Sequence, residues 1–96
     1  MRTLGLEYWR WVDTHLHILR HEEELSDGTT IDVQARTSRA GSIQLFIGVY
    51  SESGRAIREE SYAKRPGENV ARALAWGVER ARWIASRTLF VVKQPQ

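Results

Sequence analysis

Between Thr29 and Val49 the apolar side chains fall on every second residue. Ile31, Val33 and Ala35 alternate with Thr30, Asp32, Gln34 and Arg36, and after a short break Ile43, Leu45, Ile47 and Val49 repeat the pattern. A period of two marks a strand with one buried face. The break between the runs is as informative as the runs. A three-residue hairpin loop is a type I turn closed by a left-handed residue, and Arg39-Ala40-Gly41 puts glycine in that third place. Closing the chain there sets Val33 opposite Ile47 and Ile31 opposite Val49, so both strands bury the same face. Glu52-Ser53-Gly54 repeats the turn and leads into a weaker third strand over about residues 55–64, with Ile57 facing Val49 and Ala63 as its second apolar marker.

Helical spacing flanks this β region. Steps of about 100° from Tyr8 to His21 gather Tyr8, Trp9, Trp11, Val12, Leu16, Ile18 and Leu19, with His15, on one half of the wheel. The spacing predicts a helix over about residues 6–24, ended by Ser26-Asp27-Gly28, where Gly28 takes the left-handed conformation. Pro66-Gly67 breaks the third strand, and a second helix runs from Glu68 to about Arg87. Its buried face holds Val70, Ala71, Leu74, Gly77, Val78, Ala81, Ile84 and Ala85, side chains small enough to let a helix lie close to a sheet. Residues 88–92 fit frayed helix, a short edge strand or an oligomer contact equally well. The expected architecture is α+β: a helix, a three-stranded antiparallel meander and a helix (αβββα), with both helices on one face of the sheet. It forms one domain over residues 1–92, with a disordered tail at 93–96.

The order of these elements, with an alternating hairpin feeding an alanine-rich helix from Ile43 to Ala85, resembles the double-stranded RNA-binding domain fold. In that family a lysine cluster at the start of the last helix grips phosphates, and the loop between the first two strands carries a histidine for the minor groove. The matching helix here opens with Gly67-Glu68-Asn69-Val70-Ala71-Arg72, and the loop reads Ser38-Arg39-Ala40-Gly41. A carboxylate stands where a phosphate would approach. The resemblance therefore implies the fold and not the activity.

Composition narrows the classes further. With 42% hydrophobic residues in 96 positions, the chain has enough apolar side chain for one core. The absence of cysteine excludes disulfides, thiolate zinc sites and a cysteine nucleophile. No apolar run approaches the roughly 20 residues of a membrane span, no export leader is read at the N terminus, and a cytoplasmic location is expected. The net charge of +2 conceals a division, with −4 over residues 1–32 and +6 over residues 33–96. Such asymmetry is satisfied inside the fold or across a dimer, or steers an acidic partner to the second half.

Three groups of side chains are candidates for function. On the outer side of the second helix, opposite the alanine face, stand Arg72, Trp76, Glu79, Arg80, Trp83 and Arg87, with an Arg four residues after each Trp in reach of a cation–π contact. Two indoles turned toward solvent call for a cover: the first helix or residues 88–92 of the same chain, a second copy in a homodimer, or another partner. On the face of the sheet away from the core, Phe46, Tyr50 and Tyr62 interleave with Arg36, Gln44, Arg58 and Lys64, an arrangement that holds single-stranded nucleic acid by stacking and phosphate pairing. On the first helix Asp13, His17, His21 and Glu24 share one side, where two histidines at i and i+4 with a carboxylate suit a metal. No nucleophile, base and orienting group appear at a recognisable spacing, and no cofactor motif is present. The leading expectation is a non-enzymatic interaction module that self-associates. Nucleic-acid binding through the sheet is the first alternative, and a metal-dependent enzyme is the second.

Overall fold

The computed structural model describes the backbone of residues 2–93 and the side chains of residues 2–87. Its elements are α1 (Leu6–Trp11), β1 (Ile18–Glu24), β2 (Thr30–Thr37), β3 (Ile43–Tyr50), β4 (Ala56–Tyr62) and α2 (Val70–Lys93). The strands form one antiparallel sheet in the order β1-β2-β3-β4. The β2–β3 hairpin has the register its alternation predicts, with Val33 opposite Ile47 and Ile31 opposite Val49. Below it α2 closes a core of Ile31, Val33, Ala35, Leu45, Ile47 and Val49 against Ala73, Ala81, Ile84 and Ala85. Full burial of each large aliphatic side chain contributes about 1.5–3 kcal/mol, so these two strands carry most of the apolar stabilisation.

The first helix is much shorter than the spacing predicts. It stops at Trp11 because Asp13 draws the chain into a turn: its carboxylate accepts the His15 N–H at 3.0 Å, and the Leu16 N–H bonds the Asp13 carbonyl. From Ile18 the backbone is extended and pairs with β2, His21 opposite Val33. Ser26-Asp27-Gly28 is consequently a hairpin loop and not a helix end. Its bonds repeat those of the other two loops, with Leu25 joined to Thr29, Ser38 to Ser42 and Ser51 to Arg55, each by one backbone bond across the turn. Gly28, Gly41 and Gly54 all have φ near +90°, a conformation that costs other residues strain. They recur every thirteen residues, a regularity that makes the meander four-stranded.

The helices lie on opposite faces, which corrects the expectation of one shared face. Phe46 and Tyr50 point away from α2, and Tyr8 and Trp11 of α1 pack on Phe46 with ring centroids 5.3 and 5.7 Å apart. Glu59 on β4 anchors this cover, its carboxylate accepting the N–H of Gly5 at 2.9 Å, the N–H of Tyr8 at 3.3 Å and the hydroxyl of Tyr50 at 2.8 Å. Glu59 thereby supplies from another strand the bonds that a capping box supplies from within a helix. Beside it the fully buried Asp32 accepts both Arg20 Nε at 3.0 Å and Arg20 Nη2 at 2.7 Å, and Arg2 Nη2 at 3.3 Å. The extra strand and the divided helices separate the chain from the αβββα pattern that its sequence resembles.

The third strand of the expected meander departs by one residue. A bulge shifts the β3–β4 register between Val49 and Tyr50, so Val49 lies opposite Arg58 and Tyr50 opposite Ala56, with Ile57 as the extra residue. Ile57 is half-exposed as a result, and Arg58, Glu60 and Tyr62 turn to the α2 side. The helix then sits between two ion pairs. Arg80 meets Glu60 of β4 on one flank and Arg82 meets Glu23 of β1 on the other, at 2.7 and 2.8 Å. Residues 88–92, for which frayed helix, edge strand and oligomer contact are equally open in the sequence, continue α2 in their backbone. Of the expected tail, Lys93 belongs to that helix and residues 94–96 lie outside the described residues.

Candidate interaction surface on the second helix

The proposed nucleic-acid face does not exist as one surface. Phe46 and Tyr50 are fully buried beneath the N-terminal segment, and Arg36 is buried with its guanidinium 3.7 Å from the centre of the Trp11 ring. Arg36 donates through Nε to Gln44, and burial pulls its guanidinium below the ordinary arginine value, against the opposing charge of Asp13. The bulge carries Arg58 and Tyr62 to the other side of the sheet, and Lys64 follows the end of β4. One shift of register and one short helix undo the cluster.

The four metal candidates disperse for a related reason. Asp13 belongs to the turn after α1 and pairs with Arg39, while His17 is exposed just before β1. His21 faces the α2 side, where its ring lies 3.1 Å from Glu23, and Glu24 closes the strand on the opposite face. In an extended chain residues four apart lie about 13 Å from each other even on one face, and His21 and Glu24, three apart in β1, turn to opposite faces. Among the described residues no group of three His, Cys, Asp or Glu side chains could hold a metal ion.

The outer stripe of α2 remains accessible, although the helix is turned somewhat from the expected orientation. Ala73 is buried and Ala71 exposed, so Trp76 and Arg80 lie on the flank beside β4 and not opposite the sheet. Trp76 is 37% exposed and Trp83 is 51% exposed. Arg65, from the connection after β4, stacks on Trp76 at 4.0 Å, and the Tyr62 ring meets the same indole edge-on at 5.5 Å. Arg65 thus holds the place expected of Arg80, which lies 5.1 Å from Trp83 while bonding Glu60; Arg87 is 4.9 Å from Trp83, as its spacing predicts. The N-terminal segment, one of the expected covers, occupies the far side of the sheet.

The electrostatics of this flank are lopsided. Glu60 is shared by Arg58 and Arg80 and also accepts the Tyr62 hydroxyl at 2.9 Å. Led by the Arg80 hydrogen bonds, these donors hold its carboxyl down at about 2. Glu68 pairs with Arg65 at 2.8 Å, which lowers the carboxyl and raises the guanidinium. Lys64, Arg72 and Arg87 are exposed and make no ion pair among the described residues. The flank is therefore two half-exposed indoles in a field of surplus positive charge.

Sequence alone does not reveal the contributions of Arg65, Tyr62 and Glu60, because β4 and the connection after it bring them, and the facing of β4 depends on the bulge. The part-buried pairing of Arg20 with Asp32 is hidden with β1 itself, although the thirteen-residue recurrence of Gly28, Gly41 and Gly54 points to that strand. No described helix is long and apolar enough to cross a membrane. Compared with models of known protein families, with curated proteins and with solved structures, the chain matches none.

Proposed function

We propose that this chain is a non-enzymatic interaction module that binds another protein through the flank of α2 bearing Trp76 and Trp83. The observation that carries the reading is the exposure of two indoles two turns apart on one flank of one helix, whereas the other exposed large apolar side chains, Leu6, Trp9, Leu19 and Ile57, are dispersed over α1, β1 and β4. Together they leave on the order of 200 Å² of aromatic surface in water, and tryptophan, tyrosine and arginine are the residues that dominate protein–protein contact energies. The arrangement favours a protein over single-stranded nucleic acid. Bases stack on open ring faces, whereas Arg65 lies over Trp76, and Arg80 and Arg87 approach Trp83.

The test is site-specific photo-crosslinking in the cell of origin with Glu79→p-benzoylphenylalanine, which places the probe beside the stripe and leaves both indoles in place. The same probe at Glu52, in the β3–β4 turn, is the reference. Protein adducts are expected at position 79 and not at 52. Equal or absent adducts at the two positions would overturn the proposal.

A further inference from the structure

The flank of α2 does not suit every protein equally, and its charge decides which kind it accepts. Glu60 and Glu68 are both spent on arginines of the same patch, and Glu79 turns toward Arg82 at 3.8 Å. Around Trp76 and Trp83 this leaves Lys64, Arg72 and Arg87 exposed and outside any ion pair among the described residues, with Arg72 acting on the already paired Glu68 only at a distance. Building on the proposed contact surface, we infer that its occupant is an acidic segment of another protein, one that sets apolar side chains on the two indoles and carboxylates beside Arg72 and Arg87.

Geometry specifies the occupant further. Trp76 and Trp83 are two helical turns apart, about 10 Å along the axis, and Arg80 and Arg87 repeat the same interval. A helix lying alongside α2 with apolar residues at i and i+7 meets both indoles with one face. Acidic residues bordering that face reach the free guanidiniums, whose planar fork binds a carboxylate through two parallel hydrogen bonds.

A second copy of the chain fits less well. A two-fold contact sets the same patch on each side, so it would oppose two surfaces with the same positive surplus, and like charges across an interface are costly. The carboxylates of β1 do not offset this, because β1 lies at the sheet edge opposite β4, and two of its three glutamates are already paired, Glu22 with Arg2 and Arg20 and Glu23 with Arg82.

The experiment uses the purified full chain and three probes. These are a helical peptide with leucines at i and i+7 flanked by glutamates, the same peptide with lysines for the glutamates, and a mixed-sequence single-stranded oligonucleotide. Binding is read from the indole N–H resonances of the four tryptophans, with the sedimentation of the free chain recorded alongside. The glutamate peptide is expected to shift Trp76 and Trp83 but not Trp9 and Trp11. Its affinity should fall about tenfold in the double variant Arg72→Glu, Arg87→Glu, both at exposed sites, and should fall with rising salt as screening predicts.

Equal binding of the lysine peptide, no binding of either peptide at millimolar concentration, tighter binding of the oligonucleotide, or a dimer that protects both indoles would each overturn the inference. Crosslinks at position 79 without preference for the glutamate peptide remove only the sign of the partner. Loss of the crosslinks removes the surface itself.

Discussion

Gly77 of α2 lies so close to β2 that a Cβ added to it would come within 2.6 Å of Val33 Cγ1, and within 2.9 Å of Leu45 Cδ1 on β3. The small-residue face of α2 exists for this approach. In an open helix, replacing glycine by alanine gains about 1 kcal/mol from backbone propensity alone. Here the methyl group meets two fully buried side chains that have no room to retreat, and overpacking of this kind costs about 1–3 kcal/mol. Gly77→Ala is therefore expected to lower the midpoint of chemical denaturation. A raised midpoint would show that α2 stands further from the sheet.

Glu60 gives the fold a dependence on acid. Its carboxyl sits near 2 in the folded chain against an ordinary value of 4.5, so the stability it contributes is present above about pH 4.5 and is lost as the pH falls from there through about 2. Glu60→Gln should reduce unfolding free energy at neutral pH by about 1–2 kcal/mol, allowing for solvent screening of its partners. It should also flatten the stability profile between those two values. Urea titrations at a series of pH values would check both effects, and a variant with an unchanged slope would contradict the account.

The two tryptophans of α1 make a matched pair for testing the cover over the second sheet face. Trp11 is 7% exposed and packs between Phe46 and Arg36, whereas Trp9 is 61% exposed. Trp11→Ala should cost about 3–5 kcal/mol, the range for a large buried aromatic. Trp9→Ala should cost much less. Thermal unfolding of both proteins settles the comparison, and similar losses would mean that α1 does not lie as described.

Trp83 separates stability from recognition. At 51% exposure, touched mainly by Arg80 and Arg87, it contributes little to the core. Trp83→Ala is expected to change stability by less than about 1 kcal/mol while abolishing the crosslinks formed from position 79. A variant that unfolds would place this indole among the structural side chains.

The central hairpin was legible because both its strands bury one face completely, so selection for burial writes a strict alternation into them. The outer strands are fainter for the opposite reason, β4 being legible only as a weak run over about residues 55–64 and β1 reading as helix. Each has a neighbour on one side only, and their side chains are chosen for particular partners: Arg20 for Asp32, Glu23 for Arg82, Glu60 for Arg80. Polar residues selected in this way leave no period. In β1 the adjacent pair Ile18 and Leu19 happens to continue the helical spacing of Tyr8, Trp11 and Val12, although the two side chains point to opposite faces of the sheet. The stripe of Trp76 and Trp83 could be read because α2 is long and regular. Its neighbours Arg65 and Tyr62 could not, since a single extra residue in β4 decides which way that strand faces.

The grip of Glu59 on Gly5 and Tyr8 joins positions more than fifty residues apart in sequence. Bringing such distant points together is entropically expensive until the intervening chain is already ordered. The bonds that clasp the N-terminal turn of helix therefore close only once the fourth strand is in place, although Phe46 of β3 already offers Tyr8 and Trp11 a surface to pack on. The segment that precedes the sheet in sequence settles after it. In stopped-flow refolding, Trp11→Ala should accelerate unfolding and leave the folding rate almost unchanged.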